Sequence, residues 1–310
     1  MQTYKNKKHI WFLVGIVGIL LAAPNSTVIK HTVEGIDPTL FNALRFGLLA
    51  ICLTPYIFIK RRAFTQHSLK YSLYVGFFMA IAVVTFVWAI RLSQASYVSI
   101  LTLITPIVFI LYSMKLDSQR INRRSFAGIS LAAAGAFTIV ALPIVVNQKA
   151  GFVFYPLATL FILGNCLSFP LAIIYSKKAH QAGVPVMATL GVSAWVIVAI
   201  SMLMLPLTWN SSTFPTLTPS VLFGILYSGV VVALISRILN ILSYENIGAV
   251  VNAALAYSET LIAVILPVFV LHEKLSKEMV LGGILILLGV YVVEHHKSVH
   301  HKYAHLHRHH

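Results

Sequence analysis

The chain has 310 residues, of which 58% are hydrophobic and only 10% are charged, and its mean hydropathy is +0.86. A soluble domain carries about 25% charged residues, so the composition excludes a soluble enzyme and is typical of a helical membrane protein. The formal net charge of +15 does not indicate a nucleic-acid partner, because Lys and Arg cluster in short segments between apolar runs. Cys52 and Cys166 both lie inside apolar runs and offer neither a disulfide framework nor a metal-ligand spacing.

Ten apolar runs with short connections follow one another along the chain. Runs without period-2 alternation must cross the bilayer as helices, and about 20 residues span a hydrocarbon core of roughly 30 Å. The basic start KNKKH could open a signal peptide, but we interpret the first run as an uncleaved span because it continues to Ile29. Spans one to ten are predicted at residues 10–30, 37–59, 69–91, 95–115, 125–146, 152–176, 184–206, 219–242, 249–271 and 278–294.

Lys and Arg are distributed unevenly over the two sides. With the N-terminus in the cytoplasm, 16 of them fall on the inside and 5 on the outside, while Arg45 and Arg237 lie within spans. This bias predicts that both termini face the cytoplasm and that the chain lies in a cell membrane, the bacterial inner membrane being expected. We expect Arg237, near the inner end of span eight, to reach the cytoplasmic surface.

The chain also repeats itself. Matching positions in its two halves are Pro24 and Pro170, Pro38 and Pro185, Ala95 and Ala249, and Gly128 and Gly282, at offsets of 146 to 154 residues. We therefore expect a five-helix repeat over residues 1–147, a second over 148–294 and a His-rich cytoplasmic tail over 295–310. Five is odd, so the second repeat enters the membrane in the opposite direction, and inverted repeats place a binding site near the midplane.

Span nine holds one charged residue, Glu259, near its middle. A carboxylate at this depth is a functional-site hypothesis: it binds a substrate ammonium, takes up a proton, or is a structural glutamate satisfied by neighbouring helices. Helical spacing places Asn252, Ala256, Glu259 and Ala263 on one face, which we expect to point at a cavity. Tyr257 lies off this face and is a further candidate.

Two prolines are predicted to kink or break helices beside the site. Pro24 and Pro170 each free a backbone carbonyl, which at membrane depth must line protein or a watery cavity. Asn25 and Asn165 lie next to these breaks and become candidates for substrate contact, although an ordinary packing kink is equally consistent with the pattern.

Arg45 and Trp88 each allow two interpretations. Arg45 attracts a substrate carboxylate, or it is a structural cation that snorkels or pairs with a carboxylate. Trp88 anchors the membrane interface or forms a cavity wall. The tail holds 8 of the 13 histidines, but a mobile tail has no fixed ligand geometry, so we expect no dedicated metal site and no cofactor.

Several stretches together resemble the ten-helix EamA-type members of the drug/metabolite transporter superfamily. They are NSTVIK from Asn25 to Lys30, LRFGLL with Arg45, WAIRLSQASYVSILTLITPIVF from Trp88, SYENIGAVVNAALAYSETL from Ser243, and HEKLSKEMVLGGILILLGV from His272. The chain departs from the family pattern in span one, where Ala22-Ala23 replaces Trp-Gly, and after Glu259, where Thr260 replaces Pro. The resemblance implies a site lined by spans one, three, four, six, eight and nine.

The sequence thus predicts an all-α integral membrane protein with ten transmembrane helices in two inverted five-helix repeats. We expect a secondary active exporter or exchanger of a small metabolite such as an amino acid, working by alternating access, with proton coupling as one option. The alternatives are a flippase of a lipid or lipid-linked group, an integral-membrane enzyme and a channel; HExxH, GxSxG and Walker motifs are missing from the sequence. The expected partners are a small-molecule substrate, membrane lipids and protons, and a monomer is expected, with a dimer as the alternative.

Overall fold

The computed structural model describes residues 2–116, 123–140, 155–208, 218–247 and 249–306. Within those ranges the chain consists of helices and short turns, without a strand. A helix occupies each of the ten predicted spans. The bounds are Gln2–Ala22 and Asn25–Thr32 in span one, Pro38–Ile59 in two, Gln66–Leu92 in three, Ala95–Leu101, Thr102–Ile104 and Thr105–Leu116 in four, Arg123–Val140 in five, Pro156–Gln181 in six, Val186–Thr208 in seven, Pro219–Leu226, Tyr227–Ser236 and Arg237–Ile247 in eight, Ala249–Val270 in nine, and Lys277–Leu306 in ten.

Helix length and composition agree with a multi-pass membrane protein. In the described part, 6 helices are long and apolar enough to cross a bilayer, namely Ile10–Thr32, Pro38–Ile59, Gln66–Leu92, Pro156–Gln181, Val186–Thr208 and Pro219–Asn240. Shorter apolar helices lie at Ala95–Phe109, Phe126–Ile139 and Ser258–Val270. With span ten they confirm the predicted all-α architecture.

Short polar side chains start the helices of spans two and three. The Asp37 carboxylate accepts hydrogen bonds from the backbone N–H groups of Thr39 at 2.8 Å and Leu40 at 3.1 Å, and Pro38 opens the helix. Thr65 and Ser68 form a capping box at the start of span three. Each cap satisfies backbone donors that the first turn leaves unpaired.

In the described part of the chain, three spans contain an irregular segment between two α-helical ones. Span one is interrupted at Ala23 and Pro24, span four contains a 3-10 turn at Thr102–Ile104, and span eight contains a π-helical segment at Tyr227–Ser236. The break at Pro24 agrees with the prediction. The predicted break at Pro170 is wrong, because the helix Pro156–Gln181 continues through it; an axis kink there stays a prediction.

The C-terminal tail also differs from expectation. The helix of span ten continues beyond residue 294 to Leu306 and includes 12 of the 16 residues of the His-rich segment. The expected mobile tail is therefore helical up to that residue. The side chains that would answer the question of metal binding lie outside the described part.

Helices pair mainly between the two halves of the chain. Span three packs against span six, two against seven, one against eight, four against nine, and five against ten. If each span of the first half is exchanged with its counterpart in the second (one with six, two with seven, and so on), the pair of spans three and six and the pair of spans one and eight become each other. The other pairs map onto themselves. The packing therefore has the pseudo-symmetry of two matching five-helix repeats.

Spans five and ten show this symmetry at atomic detail. A Cβ added at Gly282 would lie 2.5 Å from the Gly135 carbonyl oxygen, and one added at Gly289 would lie 2.5 Å from the Gly128 carbonyl oxygen. Gly128 and Gly135 are the counterparts of Gly282 and Gly289 at the same offset of 154 residues. Only glycine permits this approach of two backbones, as in other small-residue contacts between membrane helices.

Candidate functional site

A cavity of about 700 Å³ lies between the two halves of the bundle. Its walls come from eight spans, one to four in the first half and six to nine in the second. The lining residues are Asn25, Arg45, Phe46, Leu49, Met79, Val83, Phe86, Thr102, Thr105, Phe109, Asn165, Phe169, Ile173, Leu190, Ser193, Ile197, Ser228, Val232, Ala233, Arg237 and Glu259. The lining that the resemblance implied lacked spans two and seven, which contribute Arg45 and Ser193 among others.

Glu259 lies on the cavity wall, as the sequence predicted. The same wall holds Arg237, whose charge is opposite to that of Glu259. The expectation that Arg237 reaches the cytoplasmic surface missed this neighbour. Ala263, one turn beyond Glu259 on the same face, accepts a hydrogen bond through its backbone oxygen from Ser26 Oγ at 3.4 Å, so this face points toward span one.

Arg45 is a buried cation, with 5% of its surface exposed. Its Nε donates to Asn42 Oδ1 at 3.0 Å, and its guanidinium carbon lies 5.0 Å from the ring centre of Phe41 and 4.8 Å from that of Phe46. Stacking on rings and one amide hold the guanidinium plane in place. Its burial does not fit a snorkelling cation, and no carboxylate in the described part of the chain acts on it.

The π-helical segment of span eight fits closely against span two at this level. A Cβ on Gly229 would lie 2.6 Å from the Arg45 carbonyl oxygen, so glycine is needed for the contact. The neighbouring Ser228 hydroxyl donates to Asn25 Oδ1 at 2.9 Å, which joins span eight to the break in span one. Both side chains line the cavity. Irregular backbone at membrane depth is tolerated where it borders such a cavity.

Asn165 also lines the cavity, and its Nδ2 donates to the Ala82 carbonyl oxygen at 2.8 Å. Trp88 does not line it: its Nε1 donates to Thr39 Oγ1 at 3.2 Å and its ring lies 6.4 Å from that of Phe161. The side chains of Asn252 and Tyr257 lie outside the described part, so their predicted roles stay predictions.

The second half of the chain contacts the start of span four through a carboxylate whose role sequence reasoning missed. The Glu273 carboxylate accepts hydrogen bonds from the Ala95 N–H at 2.7 Å, the Ser96 N–H at 2.9 Å and the Ser96 hydroxyl. Span four begins at Ala95 after Gln94, whose side chain makes no capping bond. A carboxylate from the second half therefore caps a helix of the first half. We call this contact the outer latch, because the topology predicted from the charge bias would place it on the outer side.

Lys30 of span one makes further contacts close to this latch. Its Nζ donates to the carbonyl oxygens of Ser93 at 2.7 Å and Ile90 at 3.1 Å, at the end of span three. Neither Lys30 nor Glu273 lines the cavity. The cavity lining instead extends along spans four, six and eight toward their C-terminal ends, as far as Phe109, Ile173 and Arg237. Two features of the sequence could have indicated the latch: the acidic Glu273 in the short loop after span nine, and the start of span four at Ala95, which has no capping side chain before it.

A ten-helix membrane bundle with two matching halves around a central cavity is an architecture found among membrane transporters. A family model described as the EamA-like transporter family matches the chain twice, over residues 9–141 and 156–294. The chain belongs to the EamA-like transporter family, and it is therefore a membrane transporter of the drug/metabolite type. The repeat bounds at residues 147 and 148 stay a prediction.

Solved structures agree in fold. One, described only as the crystal structure of a protein, superposes with a TM-score of 0.59 and 18% sequence identity, covering 92% of this chain and 96% of its own. In all, 28 chains of solved structures match. At this identity the likeness shows the fold alone. No curated protein sequence matches the chain.

Proposed function

We propose that this transporter exports or exchanges a small amphipathic zwitterion, such as an amino acid with an apolar side chain, by alternating access. The observation that supports this substrate class is the central cavity, which combines one carboxylate and two guanidinium groups with mostly apolar walls. Its volume of about 700 Å³ falls within the range of small-molecule sites.

The charges of the cavity suit the two ends of an amino acid. Glu259 and Arg237 carry opposite charges, whereas Arg45 has no carboxylate acting on it in the described part. A substrate carboxylate supplies the missing partner for Arg45, and its planar guanidinium fork fits that group. The substrate ammonium binds Glu259 in competition with Arg237.

The apolar part of the substrate packs on the remaining walls. Four phenylalanines line the cavity, Phe46, Phe86, Phe109 and Phe169, together with aliphatic side chains of spans two, three and seven. Burying an apolar side chain there contributes about 25 cal/mol per Å² of area removed from water. The site should therefore prefer amino acids with large apolar side chains over polar ones.

The closed outer latch and the direction of the lining support an inward-facing state. With both termini in the cytoplasm, as the 16 to 5 charge bias favours, the cavity opens toward the cytoplasm and export begins from this state. A cell membrane, the bacterial inner membrane, is the proposed location. Opening the outer latch and closing the inner ends of the same spans releases substrate outside.

Glu259 is also the proposed coupling residue. A carboxylate that binds either the substrate ammonium or a proton links the two events, because one site cannot hold both. If protons drive transport, Glu259→Gln abolishes gradient-driven uptake and leaves exchange of substrate for substrate. The matched control is Glu34→Gln, which changes an exposed glutamate between spans one and two.

The test is uptake of labelled amino acids, nucleosides and carboxylates into proteoliposomes, each with and without an imposed pH gradient. Saturable uptake of apolar amino acids supports the substrate class, and its enhancement by the gradient supports proton coupling. Unchanged gradient dependence in Glu259→Gln would refute the coupling role. Uptake that requires preloaded substrate makes the protein an exchanger.

A flippase of a lipid or lipid-linked group is the second candidate. The observation in its favour is that apolar side chains form most of the cavity wall. It predicts movement of a lipid analogue between leaflets and no uptake of soluble solutes. The buried guanidinium of Arg45 would then contact a headgroup phosphate.

A further inference from the structure

A second cavity, of about 520 Å³, lies on the opposite face of span seven from the central one. Span seven forms its floor and spans two and three form its walls. The lining residues are Thr54, Ile57, Phe58, Leu73, Val192, Trp195, Val196 and Ala199. None of them lines the central cavity. We call this surface the 2-3-7 groove.

Close helix packing gives the groove a fixed shape. A Cβ on Gly191 would lie 2.8 Å from Ile57 Cδ1, and one on Gly76 would lie 2.5 Å from Val196 Cβ, so both walls approach span seven at a glycine. Trp195 Nε1 donates to Thr54 Oγ1 at 3.0 Å across the groove. The indole polar group is thereby satisfied, and the exposed remainder of the groove is apolar.

The turn between spans two and three lies at one end of this groove. Phe58 is the next-to-last residue of the span-two helix and Leu73 lies two turns into the span-three helix, so the groove leads toward the turn from Lys60 to Thr65. It carries three consecutive exposed cations, Lys60, Arg61 and Arg62, and no acidic residue occurs between Lys60 and Lys70.

The turn is ordered by its own hydrogen bonds. Arg61–Ala63 form a 3-10 turn, and Ser68 Oγ donates to the Ala63 carbonyl oxygen at 3.3 Å. The Thr65 and Ser68 capping box fixes the next residues. The cations are thus attached to a defined backbone, unlike those of a mobile basic segment.

We propose that the 2-3-7 groove binds an anionic phospholipid of the surrounding bilayer. An acyl chain lies along the apolar groove, and the headgroup phosphate contacts the cations of the Lys60–Arg62 turn. Charge complementarity selects the occupant, because neutral lipids fill the groove equally well but leave the three cations without an anion. Tethering spans two, three and seven in this way supports the wall of the central cavity that carries Arg45.

The test is native mass spectrometry of the full-length protein in detergent with phosphatidylglycerol or phosphatidylcholine of identical acyl chains. We expect phosphatidylglycerol to bind more tightly to the wild type. Arg61→Gln with Arg62→Gln should weaken it by about 30-fold, since two cations are lost at a lipid headgroup. Lys177→Gln with Lys178→Gln is the matched control, because span six ends on the same side of the membrane as span two.

A third variant tests the groove itself. Ala199→Trp places an indole in the groove without changing charge, and it should lower phosphatidylglycerol binding to the level of phosphatidylcholine. If Ala199→Trp still prefers phosphatidylglycerol over phosphatidylcholine, the 2-3-7 groove is not the binding site of the acyl chain and the proposal is overturned. If the Arg61/Arg62 variant and the Lys177/Lys178 variant lose phosphatidylglycerol binding to the same extent, the assignment of the headgroup to the Lys60–Arg62 turn is overturned. Displacement of the lipid by soluble glycerol phosphate would show a free-anion site and overturn the proposal.

Discussion

Replacing Glu273 tests whether the outer latch holds the transporter inward-facing. Its carboxylate accepts three hydrogen bonds at the start of span four, two of them from backbone N–H groups at 2.7 and 2.9 Å. Glu273→Ala removes all three, whereas Glu273→Gln keeps one acceptor and loses the charge. Both variants should increase the outward-open fraction, the alanine variant more strongly.

The size of the shift follows from the contact. Hydrogen bonds to a charged group contribute about 1.5–3 kcal/mol net, and an anion at a helix N-terminus adds up to about 1 kcal/mol at an exposed site. The three bonds share one carboxylate, so their contributions do not add in full. Taking them together as one charged contact, a loss of about 2–3 kcal/mol changes the ratio of outward-open to inward-open protein by roughly 30- to 160-fold.

The assay uses the substitution Thr102→Cys on the cavity wall. It measures the rate at which a membrane-impermeant maleimide, added from outside, labels the new cysteine. The background carries Cys52→Ser and Cys166→Ser, which removes both native thiols. We expect both Glu273 variants to be labelled faster than the protein with Glu273 unchanged. The control Glu34→Gln should be labelled at the unchanged rate. Unchanged labelling in Glu273→Ala would refute the latch.

Three further changes test the packing and the site. Arg45→Lys keeps the charge but loses the planar guanidinium stacked near Phe41 and Phe46. In a transport assay we therefore expect the half-saturating concentration of a carboxylate substrate to rise at least tenfold. An unchanged half-saturating concentration would contradict the proposed contact. Gly282→Ala forces a Cβ to 2.5 Å from the Gly135 carbonyl oxygen, so the melting temperature should fall by several degrees, whereas Gly47→Ala, which meets nothing within 4 Å, should leave it unchanged or higher. Asn165→Ala removes the bond to the Ala82 oxygen and should destabilise the protein by about 1 kcal/mol in chemical unfolding, with a null effect arguing against a role in joining spans three and six.

The number and placement of the helices could be predicted from the sequence because hydropathy is a local property. The predicted spans two and seven, at 37–59 and 184–206, agree with the helices Pro38–Ile59 and Val186–Thr208 within two residues. The break at Pro24 was likewise a local signal. The same rule failed at Pro170, where neighbouring helices support a continuous helix, since tertiary packing decides whether a proline breaks a helix.

The site could be predicted only in part. Glu259, Asn25, Asn165 and Arg45 were candidates because polar groups at membrane depth are rare, and all four line the cavity. Arg237 is exposed and also lines the cavity; its distance from the helix end predicted the exposure, but the direction it faces was not predictable. The latch joins Glu273 to Ala95, 178 residues apart, and no local pattern encodes such a pairing.

The most direct measurement is uptake of a labelled apolar amino acid into proteoliposomes, with movement of a fluorescent lipid analogue followed in the same vesicles. A matched Ser193→Trp variant fills the central cavity with an indole. The proposed function predicts saturable uptake by the wild type, loss of uptake in Ser193→Trp and no protein-dependent lipid movement. Lipid movement without uptake of any soluble solute would contradict it and establish the flippase instead.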